Sequence, residues 1–211
     1  MTSLTPDHPL WIGDKPLLLA SKSAPRRALL AAAGLPFEAH AADIDERALE
    51  ADYLRRGEPI EALAMALARA KALEVSARRP GALTLGADQT LLFEGRLLHK
   101  SATFDEAAAS LAAMNGRTHR LICAFALARA GRILAEDSDV ADLTMRALDA
   151  GQIARYLAAA GPGVLASVGA YQLEGLGAHL FDRIQGEHSV ILGLPMLKLL
   201  AALRGLGMLA L

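Results

Sequence analysis

Residues Leu17–Gly34, LLLASKSAPRRALLAAAG, read as a strand, a polar turn and a helix. The apolar run Leu17, Leu18 and Leu19 leads into Ser21, Lys22 and Ser23, and Pro25 opens a helix with Arg26 and Arg27 in its first turn. A helix start carries unpaired N–H groups and the positive end of the helix dipole, so it attracts anions. Cations in a first turn run against that dipole, and two adjacent guanidiniums there ask for a counter-anion such as phosphate. Ser23 is placed to cap the helix and Gly34 to stop it. The same residues fit an ordinary helix with a solvated basic face, so the stretch alone leaves both readings standing.

The 211 residues suffice for one domain or for two lobes around a cleft, and a hydrophobic share of 53% belongs to a globular chain. With 22 Lys and Arg against 23 Asp and Glu, the net charge of -1 lacks the basic footprint of a duplex-binding protein. An aromatic content of 4% offers little for stacking on single strands, so nucleic acid is not an expected partner. Cys123 is the single cysteine, which excludes an intramolecular disulfide, a cysteine metal cluster and a redox pair, and suits a reducing compartment. Residues 1–16 lack a basic start followed by an apolar run and read as a loose tail, leaving 17–211 as a single domain. The apolar stretch Leu192–Leu211 is broken by Pro195, Lys198 and Arg204, so a packed C-terminal helix is expected and no membrane span. These features together predict a cytoplasmic protein.

Further along, Pro36–Ile44 is expected to be extended and to end in the acidic cluster Asp43, Asp45 and Glu46, which suits a solvated loop, a cap or chemistry. From Glu58 and Pro59 a helix is predicted to about Arg78, with Ile60, Leu63, Leu67 and Ala70 at helical spacing. Lys71 lies beside that stripe and either snorkels outward or reaches into a cleft. In Ala82–Phe93, ALTLGADQTLLF, a strand is expected to break at Gly86-Ala87 and present Asp88, with the small residues leaving room for a ligand. A turn-closing aspartate is the plainer reading of the same residue. Leu91–Lys100 forms a hairpin through Glu94, Gly95 and Arg96, returning Lys100 toward the start of the element. Thr103 with Glu106, and Asp149 with Gln152, open helices that end before Gly116 and at Gly161. Arg117–Ala128 and Ile133–Met145 read as antiparallel strands around Gly131. The glycines of Val168–Pro195 predict tight turns and close backbone approach within a sheet, and Glu174 stands between Leu173 and Gly175.

In this order the stretches resemble the Maf family of nucleoside triphosphate pyrophosphatases from Leu17 to about Leu203. The likeness comprises LAS-x-S with the arginine pair, DIDE at Asp43–Glu46, Lys71, GAD ending at Asp88, and Lys100. It continues through NGRTH at Asn115–His119, GAYQLEGLG at Gly169–Gly177 and GLP at Gly193–Pro195. The resemblance implies an α/β fold with an elongated mixed sheet like that of inosine triphosphatases, with two lobes around a central cleft. It implies hydrolysis between the α and β phosphates of a nucleoside triphosphate, including modified or non-standard ones, with a divalent metal, Mg2+ or Mn2+. By matching positions, Ser21, Ser23, Pro25, Arg26 and Arg27 belong to the phosphate end, Glu46, Lys71 and Lys100 to the polar cleft, and Gln89 and Glu174 to recognition of the base. Asp88 becomes the catalytic carboxylate, and Asp88 and Glu46 the metal ligands. The resemblance also suggests a homodimer, and a second role as a nucleotide-binding regulator of septum formation that needs no turnover.

The chain departs from the family pattern at Ala24, where a proline is usual, and at Pro25, where one subgroup carries arginine and another tryptophan. Arg26 is therefore the firmest phosphate ligand. Gln89 and Glu174 resemble the subgroup acting on 7-methyl-GTP rather than the one acting on thymidine and uridine triphosphates. A carboxylate only accepts hydrogen bonds, whereas an amide also donates, so Glu174 bears on which base is read. Pro25 matches neither subgroup, and the tyrosine of GAYQ is not typical of the 7-methyl-GTP one, which leaves the base open.

Overall fold

The computed structural model describes residues 9–211. Strand β1 (Leu17–Leu19) is buried along its whole length, and Ser21–Ser23 turn it into helix α1 (Ala24–Ala32). Ser23 caps that helix, Pro25 lies in its first turn, and Gly34 at φ 66° lets the chain leave in the left-handed region, as expected. Strand β2 (Phe37–Ala39) follows, shorter than the extended stretch predicted, and pairs parallel with β1 from Leu17 against Phe37. Helix α2 (Glu46–Arg55) and a 3-10 turn at Ile60–Ala62 precede helix α3 (Leu63–Arg78). Strand β3 (Thr84–Phe93) then pairs parallel with β1 on the side away from β2.

The remaining strands are β4 (Arg96–Leu98), β5 (Thr118–Arg129), β6 (Arg132–Met145) and β7 (Phe181–Gln185). They complete a seven-stranded mixed sheet of order β2-β1-β3-β5-β6-β7, with β4 paired to β3. The expected mixed-sheet α/β architecture is therefore present. Both predicted hairpins form on two-residue turns with positive φ, Glu94-Gly95 and Ala130-Gly131. Helices α4 (Phe104–Met114), α5 (Ala150–Ala160), α6 (His188–Ile191) and α7 (Met196–Gly205) account for the rest. A full capping box of Asp149 and Gln152 opens α5. The glycine-rich stretch from Val168 forms mainly 3-10 turns, and only Phe181–Gln185 joins the sheet.

Among the described residues the chain divides into two compact units. The first holds the residues up to Gln89 with Cys123–Asp139 and Leu192–Leu211, and the second holds Thr90–Ile122 and Val140–Ile191. Strands β3, β5 and β6 contribute residues to both. In the first unit, Leu17, Leu19, Leu83, Leu85 and Ala87 share a core with Leu30 of α1 and with Met196, Leu199 and Leu203 of α7. Leu18 and Ala20, which alternate to the other face, meet Val75 of α3. Helices α1 and α3 thus cover opposite faces of β1.

The expected loose tail lies outside the described residues over 1–8. Beyond them, Trp11 is 5% exposed and forms an antiparallel bridge with Leu209. An indole of that size finds its burial against the C-terminal segment, so this part of the tail is packed. No helix among the described residues is long and apolar enough to cross a membrane, and α7 packs Met196, Leu199 and Leu203 inward.

Candidate functional site

Strand β1 ends beside Leu85, whose carbonyl accepts from the Ala20 amide at 2.8 Å, while β3 runs on through Gly86, Ala87 and Asp88. The chain leaves β1 over one face through α1 and reaches β3 over the other through α3. In open α/β sheets a divergence of this kind, at the carboxyl end of parallel strands, is where ligands bind. Ser21, Ser23 and Arg26 gather there. The Ser21 hydroxyl accepts from the Ser23 amide at 3.2 Å and from Arg26 Nη1 at 3.2 Å. Arg26 Nε donates to the Gly193 carbonyl at 2.7 Å, and Ser23 Oγ accepts from the Arg26 amide. Arg26 is only 8% exposed and its guanidinium is held on two edges, which fixes its direction before any anion arrives.

Gly193 was not among the predicted site residues, although it opens the GLP motif. Its φ of 98° favours glycine, and a Cβ there would stand 3.4 Å from Arg26 Nε. Arg27 points to solvent and Pro25 is half-buried in the first turn of α1, where it removes one N–H that an anion would otherwise use.

A second group centres on Lys71. Its Nζ donates to Asp88 Oδ1 at 2.6 Å and to Glu46 Oε2 at 2.8 Å, with Lys71 7% and Asp88 8% exposed. The ammonium therefore reaches inward and does not snorkel out. Its position follows from Gly86: a Cβ there would come within 2.5 Å of the Ala72 amide nitrogen and closer still to the Ala68 carbonyl. Without that Cβ, α3 lies directly on β3 and carries Lys71 over Asp88. Two expectations are corrected here. Asp88 stands in the middle of a ten-residue strand and not at its break, because β3 keeps partners beyond the end of β1. The space at Gly86 is filled by a helix backbone and not by a ligand. In the acidic cluster, Asp45 is the cap of α2, accepting from the Ala48 amide at 2.9 Å, and this cap places Glu46 on the first helical position.

Gln89 follows Asp88 and is half-buried. Lys100 and Glu174 belong to the second unit, and both are exposed. The first unit thus brings together Ser21, Ser23 and Arg26 in one hydrogen-bonded group and Glu46, Lys71 and Asp88 in another.

The mixed α/β sheet, the pinned arginine at the start of α1 and the buried lysine shared by two carboxylates give the class of protein its site chemistry. The model of the family described as Maf-like protein matches residues 16–206, and this chain belongs to that family. A nucleoside triphosphate pyrophosphatase of Nitrobacter winogradskyi is 52% identical over 204 residues, covering 96% of this chain and 99% of the relative. A 7-methyl-GTP pyrophosphatase of Mesorhizobium japonicum is 52% identical over 191 residues, covering 90% and 96% respectively. A nucleoside triphosphate pyrophosphatase of Bradyrhizobium diazoefficiens is 51% identical over 195 residues, covering 92% and 96%.

Proposed function

We propose that the chain hydrolyses the α–β phosphoanhydride of a nucleoside triphosphate, giving a nucleoside monophosphate and pyrophosphate. The observation that carries this reading is the buried Lys71 ammonium held between Asp88 and Glu46, in the unit that also carries a pinned Arg26. Arg26 and the start of α1 bind phosphate oxygens. Asp88 uses Oδ1 on Lys71, which leaves Oδ2 open to act on the attacking water, as the base or through a bound metal ion. Lys71 holds that carboxylate in place. Lys100 and Glu174 are assigned by family resemblance, the first to phosphate and the second to the base.

The charges explain why a further cation belongs here. Lys71 is already balanced by two carboxylates, so Arg26 with Lys100 falls short of the charge on a triphosphate. Glu46 and Asp88 each present a hard oxygen beyond the one given to Lys71, the donor chemistry that Mg2+ or Mn2+ takes together with substrate phosphates. When bound there, the ion would offset phosphoryl charge and acidify water.

The test is a pyrophosphate-release panel over standard, methylated and otherwise modified triphosphates with Mg2+ or Mn2+. Stoichiometric monophosphate and pyrophosphate are expected. Absence of turnover on every member, or release of orthophosphate alone, overturns the reading. Asp88→Asn should lower kcat by about 10²–10⁴-fold with an unchanged circular dichroism spectrum.

A further inference from the structure

In the second unit, segment 172–180 leaves and rejoins a single cluster of rings, of which His119 and Tyr171 are buried and Phe181 half-buried. The Tyr171 and Phe181 rings stand 4.8 Å apart, edge to face, and the His119 ring of β5 lies 5.5 Å from the first and 5.8 Å from the second. His119 Nε2 and the Tyr171 hydroxyl are hydrogen-bonded at 2.7 Å. His119 is 1% exposed, and its Nδ1 has no hydrogen-bond partner, so the Tyr171 hydroxyl is its sole polar tie among the described residues. Just upstream, the Tyr156 hydroxyl of α5 donates to the Ala170 carbonyl at 3.1 Å. Ala170 has φ 58°, a conformation that costs a non-glycine residue about 1 kcal/mol and persists only where its surroundings impose it.

The interior of the segment is fixed as well. The Gln172 carbonyl accepts from the Gly175 amide at 3.2 Å and the Gly177 amide at 3.1 Å. A Cβ at position 177 would stand 2.8 Å from the Gln172 amide nitrogen, so glycine is required for that double contact. Glu174 rides on this turn, exposed, with no ion pair among the described residues. A short surface loop with closed ends and its own internal bonds presents a side chain in a set direction.

We propose that His119 and Tyr171 are positioning residues for recognition of the base. Their hydrogen bond closes the 172–180 loop and so fixes where the Glu174 carboxylate stands. The inference rests on the reading of Glu174 as the base-facing carboxylate. A carboxylate accepts two hydrogen bonds side by side, which suits a guanine-type edge with adjacent N–H donors over uracil with one. A loosened loop spreads the carboxylate over many positions and erodes that difference, while the groups that hold phosphate are untouched.

The experiment measures kcat/KM for GTP and UTP in the wild type, Tyr171→Phe, Glu174→Ala and the double variant. Amide hydrogen exchange of residues 172–180 is followed in the same proteins and in His119→Gln. Tyr171→Phe is expected to move the selectivity ratio toward one by about tenfold, and to add nothing in the Glu174→Ala background, as coupled residues behave. Exchange at Gly175 and Gly177 should quicken in Tyr171→Phe. Equal losses on both substrates, additive effects, or unchanged exchange each overturn the proposal. A wild type that hydrolyses no member of the triphosphate panel sinks the proposed function, and the exchange measurement then still decides whether the hydrogen bond closes the loop.

Discussion

Lys71 and His119 show how differently two buried polar side chains are accommodated. Lys71 brings its charge inside because two carboxylates meet it: removing Asp88, its buried partner, would cost about 3 kcal/mol or more, whereas removing the half-exposed Glu46 leaves the Lys71–Asp88 pair in place and costs less. His119 has no such partner on its ring. Burial pushes its pKa down to about 4, with Asp142 opposing the shift only weakly. The folded state therefore keeps the imidazole neutral, while the unfolded chain protonates it near 6.5. This contribution to stability is intact above pH 6.5 and is lost as the pH falls toward 4, amounting to about 3 kcal/mol over the interval. Thermal melts of the wild type and His119→Gln between pH 7 and 4 should converge or cross as the pH falls, because only the wild type carries this loss. Parallel curves would show that His119 takes up its proton while folded.

At the scale of elements, the contact between α3 and β3 decides whether Asp88 and Lys71 meet. Gly86→Ala inserts a methyl against the Ala68 carbonyl and the Ala72 amide, both of them backbone and unable to swing aside. The helix must lift from the strand, at about 1–3 kcal/mol for overpacking. Pyrophosphate release should fall together with the melting temperature. A variant that melts lower but turns over at the wild-type rate would separate the helix contact from the chemistry. Much of this level was readable in advance. The caps at Ser23 and Asp149, the stop at Gly34 and the two hairpin turns follow from local chemistry. The function of Gly86 was not readable, because a glycine signals a close approach without saying what approaches.

Across the whole molecule, the Glu46 and Asp88 carboxylates already have a protein cation, so folding does not wait for a metal. No group of three or more His, Cys, Asp or Glu side chains among the described residues is arranged to hold an ion without further ligands. Chelation with EDTA should therefore abolish turnover and leave the melting temperature unchanged; a large drop in melting temperature would mean that a metal contributes to the fold. The sequence by itself determined the mixed α/β class, the strand–turn–helix at Leu17–Gly34, the family, and Arg26, Lys71 and Asp88 as the residues to follow. Those features rest on hydrophobic period, capping and motif order, which are written along the chain. Tertiary structure alone decided that Gly193 orients Arg26, that Glu46 and Asp88 share one ammonium, that Trp11 is packed against the C-terminal segment, and that His119 pairs with the Tyr171 hydroxyl. These pairs lie between 17 and 198 residues apart in the chain, and folding brings them together through helix and sheet packing. No local pattern specifies such a partner.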